Sequence, residues 1–432
     1  MKQQLLFDLT EREPDSVGQA RDVTSTFQDN LALPIHRWFR YSAGFSALWV
    51  RDLIEKQKSE GRHRVLDPFA GSGTVVLEGE GCQVESIGIE SHPFVSRIAK
   101  AKLQWRQSAN EFHALARLVL DKALKNTPKA YNYPPLIEKC YPPATLDALD
   151  SLRRAWKDNS DRSPASELVW LVLVAILREC SPVGTAQWQY VLPKKTKAKN
   201  LHPHGAFRAK TSLFNGDMVW RQGQPPGPSG VIECDDARTC SSVPDDWADL
   251  VISSPPYANN YDYADATRLE MTFMGDVDGW GCLQDTVRKH LVRSCTQHVS
   301  PLVKMTFEIV SSPILAPIAK ELTETCKKLE RERESHGGKK NYHTMIAAYF
   351  KDMAEVWMAL RRVTTRGTVV CFVVGDSAPY GVYVPVDRWL GELAVAAGFK
   401  SFTFEKTRDR NVKWKNRKHR VPLHEGRLWV KG

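Results

Sequence analysis

The sequence predicts an α/β fold in which strands and helices alternate around one sheet, interrupted by a largely helical insertion. Three observations predict it. The apolar run Arg64-Val65-Leu66 leads into Asp67-Pro68-Phe69-Ala70-Gly71-Ser72-Gly73-Thr74 and then Val75-Val76-Leu77-Glu78, which reads as strand, Gly-rich turn and helix. Far downstream, Asp249–Ser254 reads as a second buried strand that runs straight into Pro255-Pro256-Tyr257. Between them, from about residue 105 to 225, helical patterns replace the alternation.

Taken in order, residues 1–30 are polar and mixed and read as an arm. Leu33–Ser46 is dense in aromatics and arginine, and a helical pattern follows through Leu48, Val50, Leu53 and Ile54. In the turn after the first strand, Gly71 and Gly73 let the backbone bend and approach a ligand that any Cβ would exclude, while the amides of the following helix face an anionic group. No Gly-Lys-Ser/Thr ends the turn, and its spacing is not G-x-G-x-x-G, so it is neither a phosphate loop nor the dinucleotide fingerprint. A small nucleotide-like molecule suits it. Ser86–Glu90 reads as the next strand, and Glu90 stands about twenty residues past the glycines, where a carboxylate can accept from both ribose hydroxyls of a nucleoside. The alternative is a surface carboxylate at a strand end.

His92–Leu103 reads as a helix, followed by helical patterns at Phe112–Leu124, Ala144–Trp156 and Glu167–Leu177, the last apolar nearly all round. Gln187–Lys199 sets aromatics beside Lys194, Lys195 and Lys197, a composition that can stack on bases and neutralise phosphates or remain a solvated loop. Gly230–Arg238 is a strand ending in Asp235 and Asp236. Beyond Tyr257, Asn259–Thr272 is suited to shaping a pocket. Tyr342–Leu360 is an amphipathic helix, Gly367–Val374 a fifth strand, Pro385–Ala397 a helix, and Ser401–Glu405 and Gly426–Lys431 the sixth and seventh strands. The connection between these last two carries Arg408, Arg410, Lys413, Lys415, Arg417, Lys418 and Arg420, the densest basic segment of the chain and a candidate for a phosphate backbone.

Lys and Arg outnumber Asp and Glu 60 to 50, a formal net charge of +10 that favours a polyanionic partner without requiring one. Nine cysteines without a C-x-x-C pair fit neither a disulfide framework nor a zinc site, so no metal is expected. No apolar run is long enough to span a membrane and the first residues do not read as a signal peptide, so a cytoplasmic protein without membrane contact is expected.

Together, Asp67–Thr74 and Ser254-Pro255-Pro256-Tyr257 resemble the S-adenosylmethionine-dependent DNA amino-methyltransferases, the second motif in the serine form more usual among N4-cytosine enzymes. Asn259–Ala264 and the C-terminal region are also similar to proteins described as DNA modification methylases. The resemblance implies a seven-stranded Rossmann-like methyltransferase sheet formed by residues 31–104 and 226–432, with 105–225 inserted as a candidate recognition region. It implies S-adenosylmethionine as cofactor, held by Asp67–Thr74 with Glu90 on the ribose, Asp236 on the adenine amine, and Phe45 and Ser46 near the methionine end. Ser254, Pro255, Pro256 and Tyr257 would carry the transfer to a flipped-out base.

DNA is the implied partner, with a restriction or defence protein as a further one. Cytosine N4 stands ahead of adenine N6 because Ser opens the motif. An RNA methyltransferase forming N2-methylguanosine is the alternative, but such enzymes usually show Asp or Asn before the prolines. A methyltransferase on protein glutamine would want Asn there. A non-catalytic nucleic-acid binder predicts a degraded motif, and both motifs are intact. One departure is that the cofactor loop precedes the catalytic motif, unlike the order commonest among N4-cytosine enzymes.

Overall fold

The computed structural model of the chain describes residues 27–41, 44–126, 132–185, 191–197, 200–410 and 421–432. Most of the expected N-terminal arm, Ala43, Gln187–Tyr190, and the basic residues Lys413, Lys415, Arg417, Lys418 and Arg420 lie outside the described residues.

Among the described residues, seven strands form one sheet: β1 Arg64–Asp67, β2 Glu85–Ile89, β3 Val231–Glu233, β4 Ala248–Ser253, β5 Thr364–Gly375, β6 Ser401–Arg410 and β7 Leu423–Lys431. Their order across the sheet is β3-β2-β1-β4-β5-β7-β6, with β7 antiparallel to both of its neighbours and the remaining pairs parallel. This is the seven-stranded sheet that the motifs implied, its last two strands forming a long hairpin.

Alternate residues of the central strands face opposite sides. Cys371 and Val373 of β5 join Leu250 and Ile252 of β4 under the helix Ala47–Ser59, with Trp49, Val50, Leu53 and Ile54 covering them. Val370, Phe372 and Val374 face the other way, against Trp357 and Leu360 of the helix Tyr342–Val363 and Trp389 of Val386–Ala396. Burial on both faces explains why these strands are continuous apolar runs rather than alternating ones.

The insertion contributes the helices Ala109–Lys125, Pro143–Asn159, Pro164–Cys180 and Pro203–Gln222 and a two-stranded ribbon of Val183–Thr185 with Val191–Thr196. Pro164–Cys180 is its axis: Leu168 through Val174, Ile176 and Leu177 are all buried. The core around it also takes in Phe94 of Pro93–Leu103 and Met271 and Phe273 of Arg268–Met274, so the insertion shares a core with segments of the sheet region rather than standing as a separate module. A buried ion pair between Arg178 and Glu270, 2.5 Å long, and the edge-on packing of Phe94 against Trp170 at 5.4 Å fix that contact. Among the described residues, no helix is long and apolar enough to cross a membrane.

The aromatic stretch before the Gly-rich turn is pinned from two sides. His36 Nε2 meets Glu78 Oε1 at 2.7 Å on the helix Thr74–Gly81, with Arg51 Nε on the other carboxylate oxygen at 2.7 Å. From the insertion, the buried Asp217 accepts from Ile35 N at 3.1 Å, Trp38 Nε1 at 2.9 Å and the Arg37 guanidinium at 2.5 and 3.1 Å. Trp38 also stacks on Phe214, centroids 4.3 Å apart. These contacts carry the chain toward Tyr41 at the edge of the site.

Candidate active site

The two motifs meet at the carboxyl end of the sheet. Strands β1 and β4 are direct parallel neighbours, Val65 opposite Leu250 and Leu66 opposite Val251. At their ends the Ser253 hydroxyl donates to Asp67 Oδ1 over 2.6 Å, joining residues 186 apart in sequence. Asp67 also accepts from the Phe69 amide at 3.0 Å. Burial pushes its carboxyl up to about 7 against those two bonds.

The Gly-rich turn behaves as its sequence requires. Gly71 at φ +53° and Gly73 at φ +86° occupy left-handed conformations, and Gly73 caps the helix Thr74–Gly81. A Cβ on Gly71 would lie 3.0 Å from the Tyr41 ring, so the turn is tight against the aromatic stretch. Glu90 follows the end of β2, its Oε2 accepting from the Gly71 amide at 2.9 Å and its Oε1 from the His92 amide at 2.7 Å. Burial pushes Glu90 up to about 7 despite both bonds.

These groups border an open cleft of about 670 Å³ including its mouth. Phe45, Phe69, Ala70, Gly71, Ser72, Thr74 and Glu90 line one part of it, Ser254 and Pro256 another. Pro255 is buried behind them. Thus most residues expected to hold a cofactor share a cleft with Ser254 and Pro256, while Pro255 and Tyr257 are not among its lining residues. Residues not singled out from the sequence line it too: Tyr41, Gly44, Ser91, His92, Tyr263, Leu291 and Val292. The aromatic density before the first strand and the Tyr-rich loop after Tyr257 are the signals that point to Tyr41 and Tyr263. Nothing local marks Leu291 and Val292, which arrive by tertiary packing.

Ser254 Oγ donates to the carbonyl of Val373 on β5 at 3.3 Å and also interacts with the Tyr257 phenol; a hydroxyl that has donated its one hydrogen can still accept. Tyr257 is half-buried, and burial holds its phenol well above the ordinary value, so it stays a neutral, stackable ring. The following loop is tied down. Asn260 sits at φ +64° with its side-chain oxygen accepting from the Thr296 amide at 2.9 Å, and Asp262 pairs with the buried Arg288 at 2.6 Å.

Other expected residues sit elsewhere. Ser46 is fully buried and caps the helix Ala47–Ser59 through Trp49 N at 3.4 Å. Asp236 is held by the Arg238 guanidinium at 2.6 Å and by the Arg238 amide at 2.9 Å, while Asp235 accepts from Ser241 and Ser242. Lys194 and Lys195 are exposed on the ribbon, whereas Lys197 is half-buried with its ammonium on the carbonyl of Arg178. Strand β6 is longer than its apolar part suggested, so Arg408 and Arg410 lie on the strand rather than in the connection. Arg408 pairs with Glu425 at 2.7 Å, and Arg410 reaches the ring of Tyr257.

The chain is 26% identical over 453 residues to the type II methyltransferase M.BsoBI of Geobacillus stearothermophilus, an alignment covering 94% of this chain and 87% of that one. It is 25% identical over 405 residues to type II methyltransferases named M.AvaI from Nostoc sp. and from Anabaena variabilis, covering 87% of this chain and 81% of each of theirs. No family model and no solved structure matches. A likeness running over most of the chain supports the DNA-methyltransferase resemblance carried by the two motifs.

Proposed function

We propose that this chain transfers a methyl group from S-adenosylmethionine to an exocyclic amine of a DNA base, cytosine N4 being the target that Ser254 favours. The observation that carries the reading is the Asp67–Ser253 bond, which sets the Gly-rich turn and Ser254-Pro255-Pro256-Tyr257 on adjoining strand ends. In open α/β sheets, ligands bind at such strand ends.

The cleft fits the cofactor. Gly71 lets the turn lie close against Tyr41 at the cleft's edge, Glu90 offers a carboxylate at the ribose position, and Phe69 and Val292 give apolar walls for a planar base. S-adenosylmethionine, when bound, supplies an electrophilic methyl group on a sulfonium. The protein's task is alignment. An exocyclic amine is a poor nucleophile because its lone pair is delocalised into the ring. Ser254 Oγ and the carbonyl of Pro255 would accept the amine's two hydrogens, drawing the nitrogen toward tetrahedral geometry so that the lone pair faces the cleft. Tyr257 would stack on the base, which leaves the duplex at a cost of a few kcal/mol. Positioning and charge placement supply the acceleration, and no covalent enzyme intermediate is needed.

The direct test is to incubate the protein with labelled cofactor and separate DNA and RNA pools, then digest to nucleosides. Labelled N4-methylcytosine from DNA is expected. N6-methyladenine would keep the reaction and move the target, whereas label confined to N2-methylguanosine in RNA would sink the DNA reading.

Cofactor affinity should depend on pH through Glu90. The carboxyl is pushed up to about 7 in the folded chain, so at lower pH it is protonated and cannot accept from both ribose hydroxyls. A single group of this kind strengthens binding about tenfold between pH 6 and pH 8. Calorimetric titration across that range checks it, and Glu90→Gln should flatten the dependence. A profile that keeps its slope in that variant would remove Glu90 from the ribose.

A further inference from the structure

We propose that Arg410 is a positioning residue for Tyr257, aimed at the active site by a β-bulge. The inference rests on the function proposed above and gives this arginine a role other than a phosphate contact. The register of β6 against β7 is regular from Ser401 to Lys406, which stands opposite Gly426. It then slips: Arg408 stands opposite Glu425, leaving Thr407 as an extra residue. One extra residue flips the facing of everything after it.

Phe402 and Phe404 pack toward the larger core while Trp429 packs toward the opposite one. Without the extra residue, Arg408 and Arg410 would be in phase with the two phenylalanines. With it, both turn to the face that carries Glu425, whose carboxylate is 2.7 Å from Arg408 Nη2 and 3.9 Å from Arg410 Nε.

From there the Arg410 guanidinium donates from Nη1 to the carbonyl of Asp376 at 2.9 Å and lies 5.3 Å from the centroid of the Tyr257 ring. A cation over a ring is attracted to its face, and a planar guanidinium held by a backbone carbonyl fixes the plane of that face. Gly375 makes the approach possible. A Cβ there would lie 2.6 Å from Arg410 Nη1 and 3.3 Å from the Tyr257 ring, and Gly375 is not among the residues with positive φ, so the glycine serves space and not torsion. Arg410 thereby fixes the plane of the ring on which the base would stack.

The test compares wild type with Arg410→Ala, Arg410→Lys and Gly375→Ala on sheared, unmethylated genomic DNA. Single-turnover methyl transfer at saturating DNA should fall about tenfold to a hundredfold in Arg410→Ala. Arg410→Lys should recover little of it, because an ammonium lacks the planar face, and Gly375→Ala should be slow as well although it removes no charge. The slope of log affinity against log salt should stay at the wild-type value in all three. A pure phosphate contact would instead lower that slope by about one and leave the saturated rate intact, overturning the proposal. If wild type methylates DNA and Arg410→Ala does so equally fast, this role alone fails. If wild type binds the cofactor yet methylates no DNA, the function proposed above fails first and takes this role with it.

Discussion

Ser254→Ala is expected to slow methyl transfer about 10²- to 10³-fold while cofactor affinity stays within about twofold of wild type. The Ser254 hydroxyl spends its hydrogen on the Val373 carbonyl and borders the cleft, so what it can offer an amine there is acceptor capacity. Its loss should therefore be felt only when an amine must be localised. Ser254 lies beyond the end of β4 and bonds to the Val373 carbonyl, whereas Glu90 is held by the Gly71 and His92 amides, so that half of the cleft keeps its shape. Tyr257→Ala removes the stacking surface, worth about 1–3 kcal/mol for a single base, and should slow transfer by roughly tenfold to a hundredfold. Tyr257→Phe keeps the ring and should remain close to wild type. Rapid-quench transfer with labelled cofactor, read beside a cofactor titration, separates the two effects. Undiminished rates in both alanine variants would remove the catalytic assignment.

The sheet is legible because β1, β2 and β4 are short apolar runs that each end in a chemical signal: Asp67 before the glycines, Glu90 after β2, Ser254 after β4. The alternation fails where helices pack on helices. Pro203–Gln222 is the clearest case. Phe207, Thr211, Phe214 and Met218 recur at four, three and four residues and all are buried, but Gly205, Gly216 and Asn215 dilute the pattern, and packing supplies what propensity withholds. The bulge at Thr407 was illegible for a different reason. A run of alternating charges looks the same on either face, so only the pairing partner shows which side Arg410 takes. Arg238 likewise shows why Asp236 could not be placed from its strand-end position alone: a guanidinium two residues on already holds the carboxylate. The candidate site is marked in the sequence by two motifs and, at Tyr41 and Tyr263, by aromatic density, whereas Leu291 and Val292 come from a segment that carries no local mark of the chemistry.

Asp217→Ala is expected to destabilise the fold by about 3–5 kcal/mol, although Asp217 is remote in sequence from either motif. Its carboxylate is the meeting point of the Ile35 amide, the Trp38 indole and the Arg37 guanidinium. Ile35 and Trp38 are buried, so truncation strands two donors away from water at about 1–3 kcal/mol each, while the half-exposed Arg37 can turn to solvent and contributes less. Asp217→Asn keeps one acceptor oxygen in the same place and should lose only part of that stability. The consequence reaches the active site. The stretch that Asp217 holds leads to Tyr41, whose ring sits against Gly71, so a variant refolded at low temperature should bind the cofactor more weakly than wild type even where it is fully folded. Denaturant titration gives the stability and calorimetry of the folded variant gives the affinity. A loss below about 1 kcal/mol would mean that the insertion merely abuts the aromatic stretch and does not hold it, and the route by which residues 105–225 bear on the cofactor cleft would have to be sought through Arg178 and Glu270 instead.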